Sequence, residues 1–257
     1  MRDPMHVHIP FSQWDQHFPL LLKHRLQPEL AFKWPDLDPS LLPAVKRAGQ
    51  QLAEEGLGVT VHAPFMDLNP GAIEPLVREA TRQRWMQTLE VAELLQARLV
   101  VLHPGFDRWR YGGQSQPWID ACLDFLPPLL EQAASQECLL VLENIFEETP
   151  DTLAAVLKTL DSPWLGHCFD AGHWNLFAKC SMEQWFEALA PWIRHLHIHD
   201  NSGDRDAHLA IGEGNIDFPL LFDYMKNLQS SPSMTLEIHD CEALLRCVGS
   251  VKSLLPR

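Results

Sequence analysis

At 257 residues the chain is long for one ordinary domain but has the usual length of a (β/α)8 barrel, and 46% hydrophobic residues suffice for a large core. Lys and Arg total 20 against 34 Asp and Glu, a formal net charge of −14, which argues against general nucleic-acid binding, because that rests on cations neutralising phosphates. No apolar run reaches membrane-spanning length, the first residues carry no signal core, and the six cysteines form no CxxC pair, so a soluble cytoplasmic protein with reduced thiols is expected.

Apolar, β-branched runs at residues 5–9, 29–33, 58–62, 99–103, 139–143, 165–170, 193–199 and 234–238 read as short strands. An amphipathic segment follows each, at 14–24, 39–55, 73–95, 117–135, 150–160, 182–190, 218–228 and 242–254. The second of these helices opens after Asp38 and stops at Gly56, in keeping with helix start and stop signals. An open doubly wound sheet would also alternate, but eight units in this length favour closure. The expectation is an α/β fold, a (β/α)8 TIM barrel forming one domain over residues 1–257.

The residues that end these runs carry the chemistry. They are His62, His103, Glu143, Asp170, His197 and Glu237 on strands three to eight. In a barrel the carboxyl ends of all strands meet on one face, where active sites are built. With His173 and the Asp206/His208 pair, five imidazoles and four carboxylates would gather at one mouth. Each histidine alone is more often a hydrogen-bonded helper, and a strand-end acid is often a helix N-cap. Their recurrence at one end of consecutive strands is what chance would not give. His17, His24 and His167 fall outside that pattern and read as structural. His199 is expected to turn away where the strand passes into its loop and to act behind the ligands. In Gly212-Glu213-Gly214 the glycines read as a tight backbone path, and Glu213 as either a partner of a ligating histidine or a surface residue.

These segments resemble the xylose-isomerase-like TIM-barrel superfamily, which includes the endonuclease IV type of AP endonuclease (AP endonuclease family 2) and many sugar isomerases and epimerases. The resemblance lies in VHAPFMDLNPGA at His62, VVLHPG at His103, LENIFEETPDT at Glu143, CFDAGHWN at Asp170 and His173, HLHIHDN at His197, DAHLAIGEGNID at Asp206 and His208, and LEIHD at Glu237. It implies that Glu143, Asp170, His197 and Glu237 form the metal site shared by the epimerase members. It implies also that His62, His103, His173, Asp206 and His208 are the further positions that complete a three-zinc cluster in endonuclease IV. The acidity of the chain and its unlike first loop, residues 10–14, set it apart from the DNA enzymes. Similar sequences are called sugar phosphate isomerase/epimerase.

Two activities follow as expectations. The first is hydrolysis of a phosphoester in a small, non-DNA molecule by one to three divalent ions, zinc foremost, with Mn or Fe(II) as alternatives. Arg108 and Arg110 would then hold phosphate, and Trp109, Tyr111 and Trp174 would stack on a ring. The alternative is a mononuclear sugar or sugar-phosphate isomerase or epimerase, in which Glu143 and Glu237 exchange a proton as acid and base and His173 orients substrate. A metal-binding protein without catalysis is a third class. Nothing in the sequence sets the oligomeric state.

Overall fold

Each of the eight runs forms a strand because it is short and buried on both faces, against helices outside and within the closed barrel inside. The strands of the computed structural model are β1 (Met5–Pro10), β2 (Gln27–Ala31), β3 (Thr60–His62), β4 (Leu99–Leu102), β5 (Leu139–Glu143), β6 (Leu165–Asp170), β7 (Ile193–Ile198) and β8 (Ser233–Leu236). All neighbours pair in parallel, and β8 closes on β1, so the sheet is a barrel in sequence order. The structure describes residues 5–254; residues 1–4 and 255–257 of the expected domain lie outside the described residues.

The helices are α1 (Trp14–His24), α2 (Leu42–Glu54), α3 (Pro75–Leu95), α4 (Gln116–Phe125), α5 (Pro127–Ser135), α6 (Asp151–Leu160), α7 (Ala171–Phe177), α8 (Met182–Leu189), α9 (Phe218–Lys226) and α10 (Cys241–Leu254). Two depart from the pattern expected of the sequence. The single helix over 117–135 is broken, because Pro127 and Pro128 have no N–H to continue its hydrogen-bond ladder. The segment after β6, without an expected element, forms α7, nucleated when the Asp170 side chain accepts from the His173 backbone N–H at 2.6 Å. Among the described residues no helix is long and apolar enough to cross a membrane. The cysteines are free, and Cys122, Cys138, Cys168 and Cys247 are buried.

Side chains two apart on a strand share a face. The outward residues, such as Val61, Val100, Leu140, Phe169, Leu196 and Leu236, pack under the helices in the main core. Inside, Leu99, Val101, Val141 and Cys168 form a small apolar cluster. The rest of the interior is polar and closed to solvent: Glu29, Thr60, His195 and Thr235 are all buried. A barrel interior is ordinarily filled with branched aliphatic side chains. Here it holds a buried carboxylate directly below the strand ends.

Candidate metal centre at the barrel mouth

The nine expected donors come together, in three groups joined by Glu143 and His173. In the first, His62 Nε2 and His103 Nε2 lie 3.3 and 3.2 Å from Glu143 Oε2 and 3.2 Å from each other. In the second, His197 Nδ1 lies 3.4 Å from Glu143 Oε1, 3.6 Å from Asp170 Oδ2 and 3.4 Å from Glu237 Oε1. In the third, Asp206 Oδ2 lies 3.0 Å from His208 Nε2 and 3.6 Å from His173 Nε2. The other nitrogen of His173, Nδ1, returns to Glu143 Oε1 at 3.0 Å.

Burial and charge pull these groups in opposite directions. Burial alone would raise the Glu143 carboxyl, but His197 and His103 outweigh it and hold the group well below the usual range. Asp170 and Glu237 are lowered in the same way, against burial, by His173 and His199 and by His197 and His8. Burial would lower His208, yet Asp206 and Glu237 push it up to about 9. His103 is the exception, since burial wins and its imidazole is lowered.

The residues fit a divalent cation. The Nδ1 atoms of His173 and His197 are buried and within 3.0–3.6 Å of carboxylate oxygens, but none of these pairs has hydrogen-bond alignment. Buried polar atoms are normally satisfied. Donors that converge on shared points rather than on one another match the needs of an ion. Imidazoles with carboxylates suit zinc, manganese or ferrous iron.

A second layer holds the first. Glu29 Oε1 lies 3.0 Å from His197 Nε2, so its carboxylate faces the edge of the ring opposite the donor nitrogen. Its Oε2 accepts from Thr235 Oγ1 at 2.8 Å and Thr60 Oγ1 at 3.0 Å and lies 3.1 Å from His195 Nε2. His8 Nδ1 lies 3.1 Å from Glu237 Oε1. Neither Glu29 nor His8 was anticipated; a charged or imidazole side chain in the middle of a strand buried on both faces was the available signal. His199 corrects the expectation that it turns away. The alternation carries on one residue past the end of β7 at Ile198, so His197 and His199 share the inner face, and His199 Nε2 lies 3.2 Å from Asp170 Oδ2. Gly172 makes room for it: a Cβ there would lie 2.0 Å from His199 Cε1. His167 faces outward on β6 with Phe169, its ring nitrogens 2.8 Å from Leu142 O and 3.1 Å from Trp185 Nε1.

Asp206 and His208 ride on the loop between β7 and α9, and Asp200 fastens that loop. Its Oδ2 accepts from the N–H groups of Gly212 and Gly214, both at 2.9 Å, and its Oδ1 from Ile216 at 3.2 Å. Gly212 has φ +87 and Gly214 passes so close to Asn201 O that a Cβ would lie 2.3 Å away. The glycines therefore serve the Asp200 contact. Glu213 points out, half-exposed, toward Arg246 at 3.4 Å. His208 itself has φ +47, a left-handed backbone that a non-glycine residue adopts at a cost. Its ring is stacked between His199, at 4.1 Å, and His239, at 4.6 Å.

A cavity of about 690 Å3 opens over the donors, lined by His62, Glu143, His173, Asp206, His208 and Glu237. Of the expected substrate-binding residues, Arg110 lines it, joined by Lys33. The others are placed elsewhere. Arg108 pairs with Glu148 and lies over Trp109, whose ring is largely in solvent. Trp174 packs against the core beside Phe169, since α7 turns it inward. Tyr111 donates to Gly71 O at 3.0 Å and so anchors a loop.

A family model described as xylose isomerase-like TIM barrel matches residues 24–246. The uncharacterized protein MJ1311 of Methanocaldococcus jannaschii is 32% identical over 186 residues, a match that covers 70% of this chain and 64% of that protein. Among solved structures, a D-tagatose 3-epimerase-like protein aligns with a TM-score of 0.84 at 25% identity, covering 99% of this chain and 97% of that one. The TTHB071 protein from Thermus thermophilus, soaked with ZnCl2, aligns with a TM-score of 0.80 at 25% identity over 98% and 97% of the two chains.

Proposed function

The chain belongs to the xylose isomerase-like TIM-barrel family, and on that premise we propose that it is a divalent-metal-dependent enzyme that isomerises or epimerises a small sugar or sugar phosphate. The observation that carries this reading is the pair Glu143 and Glu237. Each sets an Oε1 atom 3.4 Å from the same His197 nitrogen, and both line the cavity. The likeness to a D-tagatose 3-epimerase-like protein supports it. This reverses the order of the two activities expected from the sequence.

Glu143, Asp170, His197 and Glu237 would hold the ion; zinc is proposed, and manganese or ferrous iron fit the same donors. A bound divalent cation supplies polarisation of a carbonyl and its neighbouring hydroxyl oxygen. One carboxylate of the pair takes the proton from the carbon beside the carbonyl. The C–H electron pair moves into a carbon–carbon double bond, and the carbonyl π pair moves onto oxygen. The other carboxylate relays a proton taken from solvent water to the opposite face, which inverts the carbon and regenerates the carbonyl, while the first gives the proton it took back to solvent. His173, between Glu143 and Asp206, orients a substrate hydroxyl. Glu29 keeps His197 in the tautomer whose Nδ1 faces the carboxylates.

The second reading, hydrolysis of a small phosphoester at a multinuclear centre, is favoured by one specific observation. The His62–His103 and Asp206–His208 groups are assembled beyond what a single ion needs. One experiment separates the two. Metal-loaded protein is incubated in D2O with a panel of ketoses and followed by NMR, and in parallel with bis(p-nitrophenyl) phosphate. Deuterium entering the carbon beside the carbonyl, lost in Glu143→Gln and Glu237→Gln, is the expected result. Release of p-nitrophenol with no exchange in any ketose would replace it with the second reading.

A further inference from the structure

Among the described residues, four large aromatic side chains are more than a third exposed: Trp34 (67%), Phe65 (42%), Trp109 (80%) and Phe146 (48%). All four follow β2, β3, β4 or β5, on the face that carries the donors. Exposed aromatic surface on a folded chain costs free energy, and its collection in one place marks a contact. Phe65 and Phe146 also line the donor cavity, with Met66, itself 77% exposed. Neither ring is loose: Phe65 lies flat on His103, with centroids 4.2 Å apart, and Phe146 stands edge-on to Phe177 at 5.0 Å. The wall is thus fixed before any ligand arrives, which keeps the ordering cost of binding low.

The size of the cavity agrees. At about 690 Å3 it lies in the upper half of the roughly 300–1,000 Å3 typical of sites for drug-sized molecules. Its lining joins the polar donors to an apolar stretch of Phe65, Met66 and Phe146, more surface than one sugar ring on the donors requires.

We propose that the outer half of this cavity is a subsite for a second ring with an apolar face, so that the substrate is a sugar bearing a ring substituent and not a free monosaccharide. The inference rests on the sugar reading above only for the identity of the group on the floor. The ring is either an aryl group or the C–H face of a second sugar; both meet aromatic walls by the same packing.

The test uses matched pairs of ligands on the full-length, metal-loaded protein, with dissociation constants from calorimetry. The pairs are isomaltulose against D-fructose, phenyl against methyl β-D-glucoside, and phenyl against methyl phosphate. A ring gain of about tenfold is expected in at least one pair. It should fall to near unity in Phe146→Ala or Met66→Ala, with the smaller partner's affinity unchanged. A gain confined to isomaltulose identifies a sugar ring; one confined to the phenyl glucoside identifies an aryl group. A gain in the phosphate pair alone keeps the subsite and removes the sugar reading. No gain in any pair, or a gain that survives in both variants, overturns the proposal. So does absence of gain in a dimer that Phe146→Ala dissociates, which would assign the wall to a second copy of the chain.

Discussion

Glu29→Gln tests whether the buried carboxylate under His197 governs the metal centre. The substitution keeps the shape of the side chain and one acceptor oxygen. It removes a charge that faces His197 Nε2 at 3.0 Å and His195 Nε2 at 3.1 Å and receives two threonine hydroxyls. Burial alone would raise the Glu29 carboxyl, but His197 and His195 hold it well below the usual range, so a full negative charge is what is lost. Loss of such an outer partner typically weakens metal binding about 10–100-fold, or about 1.4–2.8 kcal/mol. The metal-free fold should lose a similar amount, about 1–3 kcal/mol, from its charge-assisted hydrogen bonds. Competition against a chromophoric zinc chelator at pH 7 gives the affinity, and thermal unfolding of chelator-treated protein gives the stability. A zinc affinity within threefold of the parent, alongside a lowered melting temperature, would show that Glu29 only fills the barrel and would refute its role in positioning His197.

Zinc content distinguishes one ion from several. If the third donor group is a metal site, His208→Ala should lose one equivalent by elemental analysis while Glu237→Gln loses another; equal content in parent and His208→Ala would show that the third group holds no ion. Gly172→Ala should drive its new methyl into His199, 2.0 Å from Cε1, and cost about 1–3 kcal/mol of stability; an unchanged melting temperature would show that His199 yields freely. His167 should make stability fall with acid. Burial depresses its folded-state value to about 4, against the lesser effect of Leu142 O and Glu143, so below about 6.5 the unfolded chain takes up a proton that the fold refuses. The contribution is present above about 6.5 and lost as pH falls toward 4; denaturant titrations of His167→Gln should show a flatter pH dependence than the parent between those values. Asp200→Ala should release the loop that carries Asp206 and His208, seen as raised amide exchange confined to residues 200–216, and unchanged exchange there would contradict the role given to Asp200.

The barrel and the six donors at strand ends were legible for the same reason. Parallel strands buried on both faces announce themselves as apolar runs, and closure then brings their last residues to one face however far apart they lie in sequence. Glu143 and Glu237 needed no further information than that. Glu29 was not legible, because its partners His195, Thr60 and Thr235 come from three other strands and meet only inside the closed barrel. The direction of Trp174 was hidden too. It depends on how α7 is rotated against the sheet, which no local pattern encodes. His199 was misread through doubt about where β7 ends, although strict alternation gave the right face.

The Asp200 contact separates two things that most metal enzymes build together. The first two donor groups sit at the strand ends and His173 on α7, but Asp206 and His208 arrive on a surface excursion pinned by one carboxylate to Gly212, Gly214 and Ile216. Any ion held by Asp206 and His208 would therefore depend on a replaceable part. Exchanging that excursion between relatives, with its Asp and two glycines kept as the socket, would move a centre between one nuclearity and another while leaving the barrel untouched. A lineage could change its chemistry by the same route without passing through an unfolded intermediate sequence.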